Sequence, residues 1–293
     1  MSATTVHVIA DSISAGGARI TTLLCTFPRF ILPEILTHRV FSRSTASSRA
    51  IPSKRILQNA TAVPLEWGEN CAGMSSRHLM HGWKLTAAKA VWGVHNSFSQ
   101  LSCRLLAALG VHKQIANRLI EPHLMVSMLI TSTDYTNFLD QRLGSEAQPE
   151  MRDLARAVDR ALNQSSPEFL EFGQCHLPFV TAHEKYEHTI ATCKLVSAAR
   201  CARTSYSNYD GTKPDVEKDL RVAYKLLFPE SGPMHQSPFE HIAQPNSHDR
   251  GEGSFNLIGW VSFRWELSLW WEDRLPEFWD NYKYEGTEQY LPC

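Results

Sequence analysis

Signs of a disulfide framework, a metal ribbon, a membrane span or a polyanion-binding surface are all missing from this chain. Its seven cysteines, Cys25, Cys71, Cys103, Cys175, Cys193, Cys201 and Cys293, are odd in number, scattered and never spaced C-x-x-C. Neither a disulfide scaffold nor a zinc ribbon is suggested, and they read as reduced thiols. Eighteen apolar residues never run together, and no basic stretch followed by an apolar one opens the chain. The expectation is a soluble, cytoplasmic protein with no membrane partner. Positive charge is not in excess: 29 Lys and Arg stand against 30 Asp and Glu, a net charge of -1. That argues against a protein coating nucleic acid, so no nucleic-acid partner is expected. His183 and His188 sit one position too far apart for the helical H-E-x-x-H zinc motif, and no metal is expected.

A chain of 293 residues, 43% hydrophobic and 20% charged, can bury a substantial core. Val6 to Ala10 and Arg19 to Phe27 are β-branched or apolar runs around Ser14-Ala15-Gly16-Gly17, which predicts two strands and a turn. Residues 53 to 82 are rich in Pro, Gly, Asn and polar side chains and read as an irregular excursion. From Trp83 the pattern changes. Ala87, Val91, Val94, Phe98, Leu101 and Leu105 recur at spacings of four and three, which predicts a long helix ending near Gly110, its apolar stripe set against another helix. His112–Leu119, Leu124–Ile130, Pro149–Leu162, Glu184–Arg200 and Asp215–Leu227 read as further helices, Pro214 opening the last. Phe255–Trp265 alternates loosely and reads as a strand. The late aromatics, from Trp260 to Trp279, suit a core or subunit interface better than a ligand stack.

The most informative segment is His38-Arg39-Val40-Phe41-Ser42-Arg43-Ser44-Thr45-Ala46-Ser47-Ser48-Arg49. One histidine, three arginines and several hydroxyls follow a short predicted helix, Pro33 to Leu36. Such a loop offers guanidinium forks, hydroxyls and backbone N–H groups to an anion. By itself it suits a solvated basic loop with helix-capping serines better than an anion site.

The spacing resembles the signature R-H-R-x-x-S-x-N-x-x-S-x-R of the flavin-dependent (ThyX) thymidylate synthases. His38, Arg39, Ser42, Ser47 and Arg49 match, with Thr37 in place of the first Arg and Ser44 in place of the Asn. Three other elements agree with that family. Asn137-Phe138 through Arg142 to Ala147-Gln148 is similar to its N-F-x-x-x-R-x-x-x-x-A-Q segment, Ala202-Arg203-Thr204-Ser205 to its A-R-x-S element, and His235-Gln236-Ser237-Pro238-Phe239-Glu240-His241 to its H-x-[TS]-P-F-E-H motif. In the common form the last two precede the His-Arg loop, whereas here they follow it. The order is that of a circularly permuted, phage-type member, an arrangement tolerated when the original termini lie close together.

The resemblance implies an α+β, ThyX-like fold with a twisted, mostly antiparallel sheet flanked by long helices. It implies one catalytic domain over 1–293, elaborated at about 53–82 and in the C-terminal segment 242–293. The implied reaction is C5 methylation of dUMP to dTMP, with FAD as cofactor and NADPH and methylenetetrahydrofolate as co-substrates. The implied partner is a pyrimidine deoxynucleoside monophosphate, and the assembly is a homo-oligomer, a tetramer in the family. Arg142 would be catalytic, polarising the pyrimidine carbonyl. Ser47, Ser48, Arg49, Arg142 and Gln148 would bind substrate. His38, Arg39, Ser42, Ser44, Asn137, Arg203, Ser205, His235, Ser237 and Glu240 would hold the cofactor. No activated cysteine is required by this chemistry.

Departures from the family leave other outcomes open. Glu34 stands where the common family has a glutamine near the nucleotide, Glu146 where it often has a histidine, and Met125 where a phosphate-binding arginine is expected. The acceptor could therefore be another pyrimidine such as dCMP, the product a hydroxymethyl group, or the chain a non-catalytic nucleotide- or nucleic-acid-binding homologue.

Overall fold

The structure, a computed structural model, describes residues 4–76, 78–203, 215–229, 234–246 and 256–273. Thr204, Ser205, Pro214, Phe255, Trp279 and Cys293, named above, lie outside the described residues. The first half runs β1 (Thr5–Ser14), β2 (Arg19–Pro28), α1 (Leu32–Ile35), β3 (Ser42–Thr45), α2 (Ser53–Ile56), α3 (Gly82–Ala108), α4 (Lys113–Ala116) and β4 (Met125–Ser132). The second continues with α5 (Thr136–Arg142), α6 (Pro149–Gln164), β5 (Glu168–Leu170), α7 (Ala182–Glu187), α8 (Ile190–Arg203), α9 (Val216–Leu227), β6 (Ala243–Pro245), β7 (Trp260–Ser262) and α10 (Phe263–Asp273).

The central sheet has the order β3-β4-β2-β1-β5. β1 pairs antiparallel with β2, β2 with β4 and β4 with β3, while β5 joins β1 in parallel. The mostly antiparallel α+β architecture is therefore as expected. Leu23, Cys25 and Phe27 of β2 and Val126, Met128 and Ile130 of β4 alternate along their strands, as period-two side chains must, and pack with Phe138 of α5 and Met151, Leu154, Ala155 and Val158 of α6. The i, i+3, i+4, i+7 spacing of that α6 stripe makes the helix amphipathic, and Pro149 opens it in the first turn, where a missing N–H costs nothing.

Several expectations are corrected. Leu124–Ile130, read as helical, is strand β4: Leu129 and Thr131 on its second face are as buried as Val126 and Met128 on its first. A strand covered on both faces loses its alternation and cannot be told from a buried helix by periodicity. Glu184–Arg200 is two helices. His188 is extended, and the Thr189 hydroxyl accepts from the Thr192 N–H at 3.2 Å to start α8 afresh. His112–Leu119 is the short α4 followed by a 3-10 stretch, Asn117–His123. The expected Phe255–Trp265 strand shrinks to β7, because the chain turns at Gly259 (φ +80°) and coils into α10 at Phe263. A Cβ at Gly259 would come within 2.5 Å of Ala18.

The long helix is present as α3, but among the described residues its stripe is left exposed instead of set against another helix. Val91, Val94 and Phe98 are 69%, 69% and 66% exposed. The inward face carries Trp92, Asn96, Ser99 and Cys103 instead, with Trp92 Nε1 donating to Ala62 O and Asn96 Nδ2 to Ala60 O.

Candidate active site

Arg142, the last residue of α5, turns toward the start of the His-Arg segment. Its Nε donates to His38 Nε2 at 3.2 Å and its Nη1 to Glu34 Oε2 at 3.4 Å. His38 is buried, edge-on to Phe138 with ring centroids 5.1 Å apart. Burial and then the Arg142 charge push its pKa below the usual imidazole value, against a hydrogen bond to the Asn137 side chain. A neutral ring that accepts at Nε2 carries its hydrogen on Nδ1, so His38 orients Arg142 without competing for charge. Two motifs about a hundred residues apart thus form one corner.

The next residues form β3, an edge strand on β4, and the P-F-E-H segment forms a 3-10 turn, Ser237–His241, packed against it. His241 Nε2 lies 2.9 Å from Ser44 Oγ. Ser42 Oγ accepts from Asn256 Nδ2 at 3.1 Å. Glu240 is ion-paired with Arg264, and its charge opposes the lowering that burial imposes on the Arg43 pKa. His235, Ser237, Asn137 and Arg39 are exposed, Glu240 is half-buried, and His38 and Ser44 are buried.

From Ser44 a file of hydrogen bonds crosses the sheet interior. His241 Nδ1 lies 2.8 Å from Thr131 Oγ1, which is 2.7 Å from Thr22 Oγ1. Thr22 Oγ1 is 2.8 Å from His176 Nε2, and His176 Nδ1 is 2.9 Å from Ser12 Oγ. Burial drives both His176 and His241 down to about 3, so both rings are neutral. Thr22, Thr131, His176 and Ser12 were not among the residues the sequence singled out for a site. Isolated Thr and Ser in strands carry no local signal, and His241 was noticed only through its motif.

The end of the segment is held differently. Ser48 Oγ hydrogen-bonds the Glu121 carboxylate, which also receives Arg29 at 3.3 Å and Arg118 at 2.9 Å, while Asn117 Nδ2 donates to Ser48 O at 2.7 Å. A cavity of about 40 Å³ lies beside this cluster, walled by Arg29, Ala46, Ser48, Met125 and Ser127. Arg49 is exposed; Ser47 and Gln148 are half-buried. Arg203 has a partner outside the segment: it pairs with buried Asp219 of α9, which also takes Arg200 at 2.7 Å, and Arg200 in turn binds Glu184. That network ties α7, α8 and α9 together.

Burial raises the thiols of Cys25 to about 12 and Cys175 to about 11, and Cys201 moves the same way. These thiols are therefore poor nucleophiles. Among the described residues no three His, Cys, Asp or Glu side chains converge as for a metal ion, and no helix is long and apolar enough to cross a membrane.

The His-Arg segment, Arg142 and the P-F-E-H turn thus meet at one edge of the central sheet. The chain belongs to the thymidylate synthase complementing protein family, whose model matches residues 17–168. That span holds the His-Arg segment, Asn137 and Arg142 and ends before α8 and the P-F-E-H turn. Among solved structures, the chain is similar to a UMP/dUMP methylase, PolB, from Streptomyces cacaoi, bound with 5-Br dUMP. The identity is 14% and the TM-score 0.44, over 56% of this chain and 91% of that one. No curated protein matches.

Proposed function

We propose that the protein, working as a single catalytic domain, transfers a one-carbon unit to C5 of a pyrimidine deoxynucleoside monophosphate, converting dUMP to dTMP with methylenetetrahydrofolate and NADPH. The observation that carries this reading is the corner in which Arg142 is oriented by neutral His38, itself hydrogen-bonded to the Asn137 side chain. C5 is a weak nucleophile until charge moves into the ring. A guanidinium held against a pyrimidine carbonyl stabilises that charge without reorganising. Arg49 and Ser47, accessible on the same segment, suit the phosphate as charge-assisted and hydroxyl donors.

A flavin fits the donor set. Exposed Arg39, Asn137, His235 and Ser237 and half-buried Glu240 offer polar side chains for the phosphates, ribitol and adenine of FAD, together with Ser42, Ser44 and His38. FAD, when bound, supplies the hydride that reduces the transferred carbon. The raised thiols of Cys25, Cys175 and Cys201 agree with a route that needs no cysteine nucleophile. Arg203, paired with Asp219, supports the cofactor through the placement of α8, with Ser205 just beyond.

The protein acts in the cytoplasm, as a homo-oligomer. The exposed apolar stripe of α3 suits a helix of a second copy, since a surface strip of this kind is costly to leave in water. The late position of P-F-E-H reads as a circular permutation, since the turn still closes on β3.

A second reading, dCMP as acceptor, is favoured by one contact. The Glu34 carboxylate beside Arg142 places an acceptor next to a donor, and an exocyclic amino group can donate to it. Mass analysis of products from dUMP and from dCMP, with methylenetetrahydrofolate, FAD and NADPH, tests both and separates methyl from hydroxymethyl. No product from either nucleotide, with no flavin absorption band after FAD is added, would leave a non-catalytic binding protein.

A further inference from the structure

The file Ser12, His176, Thr22, Thr131, His241, Ser44 has a countable hydrogen supply. Four hydroxyls carry one hydrogen each and two neutral imidazoles one N–H each, which makes six hydrogens for five links. One hydrogen must therefore point out of the file. It is not an imidazole hydrogen, because both nitrogens of each ring are inside the file. At Ser12, Thr22 or Thr131, which are 3%, 0% and 0% exposed against 8% for Ser44, the spare hydrogen would be sealed in the sheet interior, and among the described residues these three hydroxyls make no side-chain hydrogen bond outside the file. A buried donor without a partner is costly. Ser44 is the file's one member on the His-Arg segment, where a ligand or water can meet the hydrogen. The donors then all run one way. Ser12 donates to His176 Nδ1, His176 Nε2 to Thr22, Thr22 to Thr131, Thr131 to His241 Nδ1 and His241 Nε2 to Ser44.

We infer that His176, Thr22, Thr131 and His241 are positioning residues that hold Ser44 as an obligate hydrogen-bond donor, so the ligand atom it meets is an acceptor: a phosphoryl oxygen, a carbonyl oxygen or a ring nitrogen. The proposed function enters only in naming FAD as that ligand. The depressed imidazole pKa values are consistent with this arrangement, since an added proton would supply a seventh hydrogen and break the one-way order.

Two measurements test it. Long-range nitrogen–proton correlation of the imidazole rings in the ligand-free, full-length protein near pH 7 is expected to find the Nε2–H tautomer at both His176 and His241. An Nδ1–H tautomer at either ring overturns the inference. FAD titration then reads the sense of Ser44. Ser44→Ala is expected to bind FAD about tenfold more weakly, the loss of one neutral hydrogen bond. Ser44→Asn accepts from His241 and still donates, and is expected to bind like wild type. Ser44→Asp accepts but has no hydrogen to give, and is expected to be at least as weak as Ser44→Ala. Tight binding by Ser44→Asp, or equal loss in Ser44→Asn and Ser44→Ala, counts against the donor role. A wild-type protein that ignores FAD removes the flavin reading, while the ring tautomers still decide the polarity of the file.

Discussion

One face of the central sheet meets α5 and α6 through Leu23, Phe27, Met128, Ile130, Phe138 and Leu154, while the opposite face meets the C-terminal half through Ser12, Thr22, Thr131, Ser44 and two buried imidazoles. Both are buried, yet they hold the fold in different ways. Apolar contact is non-directional and tolerates small shifts. A file of hydrogen bonds is satisfied in one register only, and each broken link leaves a buried polar atom. The hydroxyl face therefore fixes how the half carrying P-F-E-H docks, and that docking sets Glu240, His241 and Ser44 relative to His38 and Arg142.

Acid should separate the two faces most strongly. His176 and His241 titrate near 3 when folded and near 6.5 when unfolded, so the unfolded state binds more protons between those values. The stability they contribute is complete above about 6.5 and is lost progressively as pH falls toward 3, at up to about 1.4 kcal/mol per pH unit for each ring. His38 and His123 are depressed too and add in the same direction. Glu184, held at about 2 by Arg200, loses its contribution only below the ordinary carboxylate range. Urea unfolding at pH 7, 6 and 5 should therefore already show a steep fall. A flat profile over that window would mean that the imidazoles are hydrated and the face is not dry.

On the apolar side, Leu154→Ala should cost about 2–5 kcal/mol, the range for a buried leucine that leaves a cavity. Its loss should not depend on pH between 5 and 7, which denaturant curves at both values would check. Arg142→Ala joins the comparison from the site, since its guanidinium is partly exposed and bonded to His38. Turnover should drop by about 10² to 10³, the range for one electrostatic donor, with bound flavin retained. Near-normal turnover would place the pyrimidine elsewhere. Thr22→Val keeps the shape of the strand and cuts the file, so about 1–3 kcal/mol should be lost from the unpaired His176 and Thr131 atoms. Thr26→Val lies on the same strand outside the file, with only a half-buried bond to Ser127, and should cost less. Equal losses would mean that the file has no special weight.

Part of this was legible in the residues. The α6 stripe and the α3 heptads follow from spacing alone, and Pro149 marks its own helix start. The His-Arg segment and the N-F-x-x-x-R segment pointed to one site, and Arg142 and His38 do touch. Other features were hidden. β4 looked helical because burial on both faces erased its alternation. The partner of Arg203 is an aspartate sixteen positions later, on another helix, and no local pattern announces such a pair. Glu121, which takes the Ser48 hydroxyl, comes from a 3-10 stretch that runs on past Leu119, where the expected helix ends.

The sequence by itself determined which side chains can do chemistry and which stretches coil or extend, because propensity, spacing and charge act over a few residues. Only the tertiary structure decided that Ser12, Thr22, Thr131, His176, His241 and Ser44 form one file, and that Cys25, Cys175 and Cys201 are buried. Those facts depend on strand register and on burial, and each link of the file needs residues more than a hundred positions apart to be placed within about 3 Å, the reach of a hydrogen bond.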